Sequence, residues 1–223
     1  MSGKKIGGAG LRGQSAGETS ICTVGVSGSG LTYRGYDIVD LAENTSFEEV
    51  AYLLLHDKLP NSQELKDYIE KLKSLRGLQP ELRSTLESIP KTAHPMDVLR
   101  TGCSVLGNLE QEEGFLNQSD HADRMLSVFP SILSYWYQFS HNGKRIDTET
   151  NDDTIGGHFL HLLHGKKPSQ LHDQVMSISL ILYAEHEFNA STFAARVCAS
   201  TLSDIHSAVT SAIGTLRGPL HGG

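Results

Sequence analysis

Helix start and stop signals recur along this chain at spacings that suit a succession of short helices. Ser46 with Glu49, and Asn61 with Glu64, pair a hydrogen-bonding side chain with a glutamate three residues later. In that arrangement cap and glutamate satisfy each other's orphan backbone donors at a helix N-terminus, so two helices are expected to begin there. Pro95 in a first turn and Gly107 past the last predict a helix over about 95–106. Gly143 stops another over about 120–141, and Asp152 or Asp153 as cap with Gly165 as stop brackets about 153–164. Pro168 opens a helix running to about Glu185, and further helical segments fit about 191–201 and 204–216. One stretch breaks this pattern. From Ile21 to Tyr36, β-favouring runs flank Gly28-Ser29-Gly30, whose glycines supply the positive φ of a tight turn. The expected fold is therefore all-α and multihelical, with a small N-terminal β-hairpin, as one domain over 16–223 behind a flexible tail, 1–15. The only linker-like stretches are short, 110–117 and 142–151, and no period of repeat length recurs.

A chain of 223 residues, 38% hydrophobic and 20% charged, can bury a sizeable core. Within 120–141, Met125, Phe129, Ile132, Leu133 and Trp136 recur at three- and four-residue steps, so one stripe of that helix faces the core. The longest apolar run, Val175 to Ala184, is interrupted by Ser177 and Ser179 and falls short of the ~20 residues of a membrane span; it reads as a core helix. A net charge of -7 offers no basic field for phosphates, which argues against nucleic acid or an anionic membrane as partner. Cys22, Cys103 and Cys198 are odd in number and scattered, so no disulfide framework is expected and a reducing compartment fits. The first ten residues turn glycine-rich where a secretory signal needs its apolar core, and the expected location is the cytoplasm.

Several motifs do not carry the chemistry they resemble. Gly13-Gln14-Ser15-Ala16-Gly17 matches a hydrolase nucleophile elbow, but no buried strand precedes the serine and no helix follows it. Gly7 to Gly10 has no feeding strand and no following Gly-Lys-Ser/Thr, so it is not a phosphate loop. His158, His161 and His164 stand three apart on one predicted helix, too spread for three ligands to converge on one ion; they read as hydrogen-bonded imidazoles. His186-Glu187 lacks the second histidine of a zincin, since position 190 is alanine. No metal site and no cofactor are expected.

Two stretches combine histidine with helix-end context: Tyr183-Ala184-Glu185-His186-Glu187-Phe188-Asn189-Ala190-Ser191-Thr192 and Gly218-Pro219-Leu220-His221-Gly222-Gly223. Asn189 and Ser191 serve better as caps than as helix interior, so His186 projects from a junction between helices. Gly218 ends one helix and Pro219 suits the first turn of another. An imidazole at a helix N-terminus is disfavoured as a cation and stays neutral, able to donate one hydrogen bond. That suits polarising a carbonyl. For either histidine taken alone, a capping or core role is the ordinary reading.

The AEHEFNAST and GPLHGG stretches closely resemble the two histidine motifs of the citrate synthase family, in wording and in separation. Tyr33-Arg34-Gly35-Tyr36-Asp37-Ile38, His94-Pro95-Met96-Asp97-Val98-Leu99-Arg100 and the run from Ile155 to Gly165 look like the branch of that family that makes 2-methylcitrate. The resemblance covers the chain from about Ala16 onward. It implies a citrate synthase-like large domain, and an acyltransferase joining propanoyl-CoA to oxaloacetate. His221 would be the catalytic donor to the thioester oxygen, and His186 the ligand orienting the oxaloacetate keto group. Asn189 would lie beside the oxaloacetate pocket, a place a helix cap explains equally well. Acyl-CoA would be a substrate rather than a cofactor, and the partner a second identical chain. The family's proton-abstracting aspartate, its carboxylate-binding arginines and its small domain follow the GPLHGG motif, so residues 1–223 alone are expected to be inactive. Two alternatives stay open. One methylene in a pocket discriminates by only ~1–3 kcal/mol, which leaves acetyl-CoA as substrate; the other is a helical interaction protein that keeps the fold without the chemistry.

Overall fold

The computed structural model describes residues 16–25, 30–114 and 117–222. Three short strands come first, β1 (Cys22–Val24), β2 (Leu31–Tyr33) and β3 (Tyr36–Asp37). Ten helices follow among the described residues: α1 (Ile38–Asn44), α2 (Phe47–His56), α3 (Ser62–Ser74), α4 (Pro80–Ser88), α5 (Pro95–Leu109), α6 (Gln118–Asn142), α7 (Ile155–His164), α8 (Gln170–Tyr183), α9 (Ala190–Ala199) and α10 (Ile205–Leu216). The expected hairpin forms, with Cys22 opposite Tyr33 and Val24 opposite Leu31. A third strand joins it unannounced. Arg34 and Gly35 both take positive φ, 48° and 87°, as a two-residue hairpin turn requires. The tail 1–15, with the glycines at 7–10 and Ser15, and the turn residues Gly28 and Ser29 lie outside the described residues.

Ser46 and Asn61 each complete a reciprocal capping box, and Gly143 and Gly165 each close a helix in the left-handed conformation. Other boundaries differ from expectation. α5 runs through Gly107 to Leu109: a Cβ built on Gly107 would sit 2.6 Å from His206 Cβ, so this glycine permits close packing of α5 on α10 rather than ending a helix. Thr154, not Asp152 or Asp153, caps α7 by accepting the Gly157 amide, while Asp152 pairs with His161 at 2.7 Å. Ser169 caps α8 one residue after Pro168, and the helix ends at Tyr183. α1 and α4 carry weaker sequence signals and were not anticipated; Gln79 makes no side-chain cap bond ahead of α4.

The stripe on α6 does face the core. Ile132, Met125 and Trp136 are buried among Leu82, Leu86, Val98 and Leu106, with Phe129 and Leu133 packed at the margin. Each such buried side chain is worth about 1.5–3 kcal/mol of transfer free energy. A second cluster joins the strands to α1, α2 and α3, and takes in Ile155 and Ile181. Between α2, α6 and α7 lies a polar knot. Arg76, fully buried, donates to the Thr150 carbonyl at 2.8 Å. His158 lies between Ser131 Oγ at 3.1 Å and Thr150 Oγ1 at 3.0 Å. Burial, with the Arg76 guanidinium nearby, holds this imidazole down to about 3. With His161 on Asp152 and His164 exposed, the three spaced histidines occupy three separate environments. α8 corrects one expectation: only Ile181 on it is buried. Packed along one side against α1, α2 and α7, it leaves Val175 and Tyr183 exposed by 55% and 91%, so it is an edge helix.

Candidate active site

Asn189 caps α9. Its Oδ1 accepts the Thr192 amide at 2.9 Å and the Ser191 hydroxyl at 2.8 Å, which satisfies one orphan donor of the first turn. α10 packs on α9, and the turn after it, closed by the His221 amide on the Gly218 carbonyl at 2.9 Å, returns the chain toward that same first turn. There His221 Nε2 accepts the Ser191 backbone N–H at 3.2 Å and lies 2.9 Å from Ser191 Oγ. Asn189 and His221, distant in sequence, thus share Ser191.

This geometry assigns the tautomer. A backbone N–H can only donate, so Nε2 holds a lone pair and the ring proton sits on Nδ1. That leaves the Nδ1–H of His221 to offer. Ser191 has a single hydroxyl proton and two acceptors in reach, Asn189 Oδ1 and His221 Nε2. The helix N-terminus that His221 meets is that of α9, and the described residues 218–222 form turns.

His186 sits on the 184–189 connection, exposed, and its ring makes no hydrogen bond to a described residue. The connection around it is tied down on both sides. Glu187, at φ 55°, accepts the Val24 amide at 3.1 Å, and Phe188 lies beneath the Arg196 guanidinium at 4.4 Å. Glu185 is half-buried; burial raises its carboxyl above the usual range, against the backbone amides of Glu187 and His186. The structure therefore joins Asn189 and His221 and keeps His186 on the connection that leads into them. Ser191 is the residue the motif reading passed over as a cap. Nothing in the GPLHGG wording says which helix end its histidine meets.

The chain matches the family model "Citrate synthase, C-terminal domain" over residues 10–223. It is 71% identical to a 2-methylcitrate synthase of Shewanella oneidensis, over 99% of this chain and 59% of that protein. To 2-methylcitrate synthase 2 of Corynebacterium glutamicum it is 42% identical, over 96% of the chain and 58% of the relative. A citrate synthase of Thermoplasma acidophilum, solved with carboxymethyl coenzyme A and oxaloacetate, superposes with a TM-score of 0.89 at 28% identity, over 96% of this chain and 56% of that one. The chain thus spans a little over half the length of the relatives it matches. With that model matched over residues 10–223, and His221 folded back onto the helix that the His186 motif opens, the chain belongs to the citrate synthase family.

Proposed function

We propose that the protein carrying this chain condenses propanoyl-CoA with oxaloacetate and water to give 2-methylcitrate and CoA. The observation that carries this reading is 71% identity, across 99% of the chain, to a relative named 2-methylcitrate synthase. Removing a proton α to a thioester builds negative charge on the carbonyl oxygen, and a preorganised donor in a water-poor site stabilises that charge by a few kcal/mol. His221 Nδ1–H is that donor, with Ser191 holding the ring from behind through Nε2. The proton passes to a carboxylate base, which the family resemblance puts after the GPLHGG motif. The enol carbon then attacks the keto carbon of oxaloacetate, whose oxygen His186 polarises and which takes up a proton; water then cleaves the thioester of the adduct, giving 2-methylcitrate and releasing CoA as the thiol. Asn189 supports the pocket through Ser191 and the first turn of α9. Acyl-CoA enters as substrate and no cofactor is required. Two copies of the chain are proposed to associate, with the exposed apolar residues of α8 in support. The cytoplasm is the proposed compartment, in keeping with three free cysteines; no described helix is long and apolar enough to cross a membrane. Comparing kcat/KM for propanoyl-CoA and acetyl-CoA at saturating oxaloacetate tests the reading. A preference for propanoyl-CoA is expected, and a preference for acetyl-CoA would transfer the protein to citrate synthase proper.

A further inference from the structure

α8 ends without a helix-breaking residue. From Leu180 to Glu185 the chain has neither glycine nor proline, and Ala184, the last capping residue, still has helical dihedrals of -68° and -34°. Its ladder is met from outside at this end. In a continued helix the Glu185 N–H would donate to the Ile181 carbonyl, four residues back. Instead the Ile181 carbonyl accepts the Ala184 N–H, three residues on, at 3.2 Å and the Tyr33 hydroxyl at 2.9 Å, and that hydroxyl accepts the Glu185 N–H at 3.3 Å. Insertion of a side chain into the i→i−4 ladder is a recognised cause of a break in a helix. Tyr33 is well placed for it. It is fully buried at the end of β2, paired across the sheet with Cys22 and Tyr36, so its hydroxyl reaches α8 from a rigid base. The same sheet holds the connection a second time, through the Val24 amide on Glu187.

We infer that Tyr33 is a positioning residue for the active site: its hydroxyl terminates α8 at Tyr183 and so sets where His186 is presented. The inference rests on the proposed role of His186 in holding oxaloacetate. Were the ladder to close, residues 184–186 would join the helix and rotate His186 by about 100° per added residue about its axis. Tyr33→Phe keeps the buried ring and frees Ile181 and Glu185 to bond to each other, so little stability is lost.

The test compares Tyr33→Phe and His186→Ala in the full protein, reading kcat, the KM for oxaloacetate and amide exchange at Glu185. In Tyr33→Phe the KM is expected to rise by about tenfold, with kcat within about threefold of the parent. Exchange at Glu185 is expected to slow as its amide joins the ladder. An unchanged KM in Tyr33→Phe, alongside a raised KM in His186→Ala, overturns the inference and leaves the proposed function standing. If His186→Ala leaves the KM unchanged, the role of His186 fails and exchange alone decides about Tyr33. A Glu185 amide that exchanges no more slowly in Tyr33→Phe than in the parent then overturns the terminating role.

Discussion

α6 and α9 are both helices, yet they are held in opposite ways. α6 buries twelve of its 25 residues, on a surface broad enough to keep Pro130 inside the helix. α9 buries none. It rests on α10, on the Asn189 cap and on the hydrogen bonds between Ser191 and His221. Packing determines the position of the first, since many contacts agree on it; a few directional bonds at one end determine the second. The candidate site is built on the second kind of helix. Its geometry is therefore sensitive to single polar atoms, while the scaffold beneath is sensitive to volume.

The largest expected effect tests the packed side. Ile132→Ala opens a cavity where Ile132 fills the space against Gly102 and should cost about 2–5 kcal/mol in denaturant unfolding. Val197→Ala on the exposed face of α9 should stay within about 0.5 kcal/mol. Equal losses would remove the distinction between the two helices.

A smaller effect comes from the polar knot between α6 and α7. Above pH 6.5 His158 is neutral whether folded or unfolded. Below it the unfolded chain binds a proton that the folded chain, with this imidazole held down to about 3, does not. Stability should therefore decline as pH falls through this window, by about 2 kcal/mol from His158 between pH 6.5 and 5. His158→Gln should flatten that part of the pH profile, and a slope as steep as the parent's would mean another group carries it.

The smallest effect tests the end-held helix. Asn189→Ala should cost about 1 kcal/mol, visible as faster amide exchange confined to the first turn of α9. Exchange unchanged there would show that α10 alone holds the helix.

The parts of the fold legible in the sequence share a physical cause. The boxes at Ser46 and Asn61, the left-handed glycines 143 and 165 and the apolar stripe of α6 arise from groups within a few residues of one another. The motif histidines and Asn189 were legible by wording, and the structure unites two of the three. β3 was hidden because its turn uses a non-glycine residue, Arg34, at positive φ. Gly107 was misread because a glycine that ends a helix and one that lets another helix come close look alike in one dimension.

By itself the sequence determined what short-range chemistry decides: where capped helices begin, which face of α6 turns inward, and the family to which the two histidine motifs point. Only the tertiary structure decided that α8 stops at Tyr183 against the Tyr33 hydroxyl, that α5 continues past Gly107, and that Ser191 of α9 grips His221. Those outcomes depend on partners from 30 to 152 residues away in the chain. A backbone group left open at a helix end takes whichever partner the packed chain brings to it, and local propensity carries no information about that partner.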